Sequence, residues 1–311
     1  MDGSFKVEAP LNTAVLFLVF NRPDTTKQVF DSIRQAKPPR LYVAADGPRA
    51  NRENEIDIVS QVRDIATDVD WPCDLKTLFQ EKNLGCKRAV SSAINWFFEQ
   101  EEQGIILEDD CLPSQSFYWY CETLLNRYKY DNRIFLISGY NKFNKWKKDE
   151  NQYFFSNLGG IWGWASWRRC WNHYDVEMKD INEFIAINGF RNALGDKIGS
   201  IKEKQIYESI FIKNVDTWDY QWAYVRYKNN ALACVPCSSL IENIGFGPDA
   251  THTIGINIDA VIRHEISFPI SENVFIAPDR EYDELFADIL PIWRRILLKI
   301  KLLLKRLYVN S

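Results

Sequence analysis

Short apolar runs alternate with longer amphipathic stretches over the first 140 residues. The runs at 14–20, 41–45, 74–79, 104–107 and 134–138 read as strands. Between them, Pro23 and Asp24 open a helix that continues to about residue 35 and turns Val29, Phe30 and Ile33 inward. Further helices are expected at 53–65, 87–100 and 117–128, the second entered through the turn Asn83-Leu84-Gly85. Pro38-Pro39 and Asp46-Gly47-Pro48 break the chain between elements. Strictly alternating strands and helices predict an α/β fold with a doubly wound, mostly parallel central sheet flanked by helices. In such a sheet the polar tips Asn21-Arg22, Asp46 and Glu108-Asp109-Asp110 fall on one rim, where ligands gather.

Beyond residue 140 the pattern is less regular and dense in tryptophan: Trp162, Trp164, Trp167, Trp171, Trp218 and Trp222. Flat aromatic faces suit stacking on sugar rings, and equally suit a core. The last stretch changes character again. On a helix, Trp293, Ile296, Leu297, Ile300, Leu304 and Leu307 share one face, with six Lys and Arg side chains and no acid over 290–311. That segment is expected to be a cationic amphipathic helix, lying on an anionic membrane surface or docked on the body of the protein. The expected division is one unit over 1–285, with a nucleotide-sugar half at 13–140 and an acceptor half at 141–285, followed by the C-terminal helix at 286–311.

Composition narrows the class. At 311 residues and 46% hydrophobic content, the chain can bury a large core. A net charge of −4 does not favour nucleic acid as a partner for the body of the protein. The seven cysteines are irregularly spaced; Cys234 and Cys237 flank Val235-Pro236 with no second pair, which argues against zinc and for reduced thiols in a cytoplasmic compartment. No basic, then apolar, leader opens the sequence, and no apolar run is long enough to span a bilayer. Neither GxGxxG after the first strand nor GxxxxGK[ST] occurs.

The most informative stretch is Gly104 to Asp110, an apolar strand ending in three consecutive carboxylates. Three acids crowded at a strand tip repel one another, and a cation relieves that repulsion. Hard ions such as Mn²⁺ or Mg²⁺ take oxygen ligands and bridge to phosphates, so the tip is expected to be a metal and diphosphate site.

Several ordered pieces carry a family resemblance: Val19-Phe20-Asn21-Arg22-Pro23, Ala45-Asp46-Gly47-Pro48, Asn83-Leu84-Gly85-Cys86, Glu108-Asp109-Asp110, Gly160-Ile161-Trp162-Gly163-Trp164-Ala165, Asp219-Tyr220-Gln221-Trp222, and Asn243-Ile244-Gly245-Phe246-Gly247 with Thr251-His252-Thr253. Over roughly 13–255 the chain resembles bacterial nucleotide-diphospho-sugar transferases of the GT-A fold, the surface-polysaccharide type. It is more distantly similar to the N-acetylglucosaminyltransferase that starts complex N-glycans. The triplet reads EDD rather than the spaced DxD of many transferases, a variant that the second resemblance accepts.

The resemblance implies roles residue by residue. Asn21 and Arg22 would touch the nucleotide. Asp46 would accept a hydrogen bond from base or ribose, unless it merely starts a turn before Gly-Pro. Lys87 or Arg88, at a helix start, would reach the diphosphate, with no basis for choosing between them. Asp110 would bind the metal directly, Glu108 and Asp109 would contact donor sugar, ribose or metal-bound water, and His252 would complete the metal shell or touch the diphosphate. Asp219 would be the general base that activates the acceptor hydroxyl. Asp216 competes for that role, but suits a helix N-cap better. Trp162 and Trp164 would form an acceptor platform.

The expected activity is a metal-dependent, inverting hexosyl or N-acetylhexosaminyl transfer from a UDP-sugar to a glycan or lipid-linked saccharide at the inner face of the cell membrane. Two rivals remain: a sugar-phosphate nucleotidyltransferase, whose Gly-rich basic loop after strand one is missing from residues 21–28, and a glycan-binding scaffold without turnover.

Overall fold

The computed structural model describes residues 9–147, 152–245 and 261–289. The strands are β1 (Val15–Val19), β2 (Arg40–Ala45), β3 (Asp74–Phe79), β4 (Gln103–Glu108), β5 (Cys111–Pro113), β6 (Ile134–Ser138), β7 (Tyr153–Ser156), β8 (Trp164–Trp167), β9 (Leu232–Pro236) and β10 (Ile241–Asn243). The helices that matter for the site are α1 (Pro23–Ala36), α2 (Glu55–Thr67), α3 (Gly85–Gln100), α4 (Gln115–Arg127), and, in the second half, a short turn at Arg168–Trp171, then Asp196–Tyr207 and Asp219–Lys228.

Eight strands form one sheet in the order β3-β2-β1-β4-β8-β6-β9-β7. β1 pairs in parallel with β2 and with β4, in register Val15↔Leu41 and Leu18↔Glu108. All five β1 residues are buried, as expected of a strand covered on both faces. α1 packs on α2 and α4, while α3 packs on the Arg168–Trp171 turn, so helices flank the sheet. The molecule is a Rossmann-like mixed α/β fold with a mostly parallel central sheet. The alternation in the first 140 residues produces all five expected strands, within one or two residues.

The second half adds three strands to this same sheet. β8 lies antiparallel between β4 and β6, so the strand at 134–138 does not neighbour the acidic strand. This corrects the expectation that Trp164 lines a ligand surface. Trp164 is fully buried in β8, stacked on Trp218 with centroids 5.7 Å apart and tilted against Trp222 at 5.6 Å. Its faces are occupied by other indoles, so no sugar reaches it. Trp167, Trp171, Trp218 and Trp222 are likewise buried.

A second, two-stranded sheet pairs β10 antiparallel with β5, in register Asn243↔Cys111. Because β5 follows the acidic triplet directly, this pairing brings residues 244 and 245 of the distant chain against Asp110; Ile244 N–H donates to the Asp110 carbonyl over 2.8 Å. Among the described residues, no helix is long and apolar enough to cross a membrane. Residues 290–311, including most of the expected cationic helix, and His252 lie outside the described residues.

Candidate active site

A cavity of about 460 Å³ opens at the carboxyl ends of β1, β2 and β4. Small side chains make the room. Ala44 and Ala45 end β2, and Ala89 and Ala93 lie four apart on the facing side of α3. Leu18, Leu78 and Val90 give the interior an apolar wall, and the polar rim holds Asn21, Arg22, Asp46, Asn83 and Glu108 to Asp110. The three polar strand tips therefore share one cavity, because their strands run parallel.

At the acidic tip, Arg22 bridges two carboxylates. Its Nη1 donates to Asp110 Oδ2 at 2.9 Å, and its Nη2 pairs closely with Asp109 Oδ1. Phe20 N–H adds a longer bond of 3.4 Å to Asp109 Oδ2. Burial opposes the Arg22 charge, but Asp109 and Asp110 outweigh it and hold the guanidinium above its ordinary range. Glu108 has no hydrogen-bond donor on its carboxylate among the described residues. Burial first, then Asp110 and Asp109, pushes it up to about 8. Burial also raises Asp109, to about 6, against the pull of Arg22. Gly245 closes over this cluster: a Cβ there would lie 2.4 Å from Asp110 Oδ2 and 2.7 Å from Arg22 Nη1. Only glycine fits so close to the ion pair.

The other predicted residues fall into three groups. Asn21 lines the cavity and donates to Glu55 Oε1 at 2.9 Å, while Glu55 also holds Arg49. Asp46 lines the cavity too, but its carboxylate accepts from Gly47 N–H (2.8 Å), Leu84 N–H (2.9 Å), Gly85 N–H (3.1 Å) and Asn83 Nδ2 (2.9 Å). Burial raises its pKa although these backbone donors act the other way. In this state Asp46 shapes the Asn83–Gly85 loop and has little left to offer a ribose. Lys87 and Arg88 do not line the cavity; both turn to Glu177, Lys87 at 3.8 Å and Arg88 in close contact. The expectation that one of them reaches a diphosphate is not met, because Glu177, from the segment that follows the Arg168–Trp171 turn, draws them away.

Asp219 and Trp162 lead to a second cavity of about 350 Å³. Trp162 lines both cavities and packs on Tyr140 with centroids 4.5 Å apart. Asp219, the first residue of the Asp219–Lys228 helix, lines the second cavity and accepts a close bond from Thr217 Oγ1. Its charge lies near enough to Glu108 to contribute to the upward push on that acid. Asp216 is a helix cap, though of another helix: its carboxylate accepts from Cys86 N–H at 2.8 Å and Lys87 N–H at 3.1 Å at the start of α3.

Among the described residues, no group of three or more His, Cys, Asp or Glu side chains is arranged to hold a metal ion. Arg22 supplies the positive charge at the triplet instead. The donor chemistry still suits a hard divalent ion, since Glu108 and Asp110 present carboxylate oxygens to the same cavity. Arg49, Ala44, Ala89 and Ala93 were not singled out by sequence, and Asn83 and Ala45 entered only as parts of a turn and of the resemblance, with no role at the site. The Ala89, Ala93 spacing on α3, opposite Ala44-Ala45, was the signal available for them.

No protein-family model and no curated protein matches the chain. Solved structures that share part of its shape include HddC from Yersinia pseudotuberculosis, at 9% identity over 52% of this chain and 80% of that one, with a TM-score of 0.32. Another is 4-diphosphocytidyl-2C-methyl-D-erythritol synthase from Anaerococcus prevotii DSM 20548, at 9% identity over 56% and 77%, TM-score 0.31. A UDP-glucose pyrophosphorylase complexed with UDP-glucose matches at 10% identity over 54% and 80%, TM-score 0.32. Likeness at this level carries no argument about activity.

Proposed function

We propose that this chain is a glycosyltransferase that moves a sugar from a nucleotide-diphosphate sugar, a UDP-sugar in the simplest case, to a glycan or lipid-linked saccharide. The donor would occupy the cavity at the ends of β1, β2 and β4, and the acceptor the cavity beyond Trp162. One observation carries this reading. The two cavities meet at Trp162, with the acidic triplet on one side and Asp219 on the other. Direct displacement needs a base on the face opposite the leaving diphosphate, and Asp219 comes from a different segment than the triplet.

Within this reading the apolar wall of Leu18, Leu78 and Val90 takes the base, and Arg22 moves part of its charge from Asp109 and Asp110 to the diphosphate. Glu108 and Asp110, joined by His252, are the residues that would hold Mn²⁺ or Mg²⁺. Bound there, the ion would neutralise charge on the departing diphosphate. Trp162 would offer its face to the acceptor sugar. The cationic stretch over 290–311 would keep the enzyme at the anionic inner leaflet, which vesicle sedimentation with and without anionic lipid reads directly.

Nucleotidyl transfer would use the same first cavity. Against it, α1 begins at Pro23, immediately behind Asn21-Arg22, and leaves no Gly-rich basic loop after β1. Incubation with UDP-sugars and Mn²⁺ separates the readings: UDP release supports sugar transfer. Joining of a nucleotide to a sugar 1-phosphate with pyrophosphate release supports the rival, and glycan binding without turnover supports a scaffold. Asp219→Asn is expected to leave UDP-sugar binding intact and to depress transfer by ~10²-fold. Near-normal turnover would remove Asp219 from the chemistry.

A further inference from the structure

The second cavity gathers positive charge that sugar transfer alone does not use. Arg226, on the Asp219–Lys228 helix, lines it and is only 2% exposed. Its Nη2 reaches the Gly159 carbonyl across 3.4 Å, while Nε and Nη1 have no hydrogen-bond partner among the described residues. The buried carboxylate whose field it feels, Asp283, is spent on Ser156 Oγ, on Asn157 N–H at 3.1 Å and on Asn157 Nδ2 at 2.7 Å. A buried guanidinium with idle donors is costly and calls for an explanation.

Two more cations line the same cavity, Lys202 from the Asp196–Tyr207 helix and Lys142. Lys202 donates to Gln205 Oε1 at 3.0 Å, and Lys142 to the Phe286 carbonyl at 2.8 Å, with Asp288 3.7 Å away. Burial, then repulsion from Lys142 and Arg226, lowers the Lys202 ammonium to about 8. Lys202 thus feels both other cations, with Asp288 acting the other way, across a space walled by Leu158, Ile206 and Phe286. Asp219 is the one acid lining it among the described residues. Such a cluster is destabilising when empty and matches an oxyanion when filled, since the guanidinium fork fits carboxylate and phosphate alike.

We propose that the second cavity recognises an oxyanion carried by the acceptor, a phosphate or a carboxylate on the saccharide, held by Arg226 with Lys202 and Lys142. This rests on the reading of the second cavity as the acceptor side, and it narrows the acceptor to an anionic sugar. A neutral sugar would leave the Arg226 Nε and Nη1 donors without an anionic partner.

Calorimetric titration of the full chain with N-acetylglucosamine 1-phosphate, glucuronate and neutral N-acetylglucosamine tests it. The account expects at least one of the anionic sugars to bind at least ~10-fold tighter than the neutral one, and which of them does so identifies the oxyanion. Arg226→Met should erase that preference while leaving the melting temperature of ligand-free protein unchanged or higher, because it removes an unpaired buried charge. Lys202→Gln, at a half-buried site, should reduce the preference in a protein that folds normally. Equal binding of charged and neutral sugars by the wild type overturns the proposal. So does a preference that persists in folded Arg226→Met. If Arg226→Met does not fold, a preference that Lys202→Gln leaves intact overturns it as well. Titration with UDP in parallel keeps the two readings apart: UDP binding without anion preference sinks this inference alone, and anion preference without UDP binding sinks the donor reading alone.

Discussion

Glu108 is the least satisfied acid at the strand tip. In an unfolded chain it loses its proton near pH ~4.3, whereas in the fold burial and its two acidic neighbours hold the proton up to about pH 8. Between those values the native state binds more protons than the unfolded state, so stability falls as pH rises through the window. Glu108→Gln removes this penalty. Urea unfolding is expected to show the variant ~1–2 kcal/mol more stable than wild type at pH 8 and indistinguishable from it at pH 4.5; the same difference at both pH values would contradict the assignment. At this scale the sequence disclosed which side chains matter more readily than what they touch. Asn21, Arg22, Asp46 and the triplet do line one cavity, because a parallel sheet puts its strand tips together. It did not disclose that Arg22 is already paired with two of the acids, or that Glu177 captures Lys87 and Arg88, since those partners are set by tertiary contacts between residues 87 to 90 positions apart.

At the scale of elements, the start of α3 shows how the two halves are joined. Its N-cap position is Leu84, which has no side-chain oxygen to offer. Asp216 supplies the carboxylate from 130 residues further along the chain. Gly85 makes room for it: its φ is +78°, and a Cβ would fall 2.4 Å from Asp216 Oδ2. Asp216→Ala should cost ~1 kcal/mol, the usual effect of losing an N-cap, read as a lower urea midpoint with unchanged slope. No change would mean that water replaces the cap. The sequence pattern pointed to a capping Asp216, but to the wrong helix, because local spacing cannot reveal a cap donated from afar. The same limit hid the strands of the second half. β8 and β9 are buried runs of four and five residues with no period-two alternation, and Ser166 in β8 reads as a loop residue although its hydroxyl donates to the Phe135 carbonyl at 2.7 Å. Strands β1 to β4 and β6 stood out because an amphipathic helix separates most of them.

For the molecule as a whole, two cavities share Trp162 in their walls, and the β5–β10 pairing carries the late chain back to the acidic tip. The tryptophan-rich segment supplied both the wall between the cavities, Trp162, and the core behind it, Trp164. Composition alone cannot tell those two fates apart, since both are aromatic residues flanked by glycine. What the sequence made legible was the first cavity, where chemistry sits at strand ends. The second cavity depends on packing among short helices and was legible only through Asp219 and Trp162. Calorimetric titration of UDP into the wild type and into Asp110→Asn, with and without Mn²⁺, addresses the central claim that this acidic tip grips a nucleotide diphosphate through a cation. The account predicts UDP binding that strengthens with Mn²⁺ in the wild type and weakens at least ~10-fold in Asp110→Asn. UDP affinity that is indifferent both to Mn²⁺ and to the substitution would contradict it.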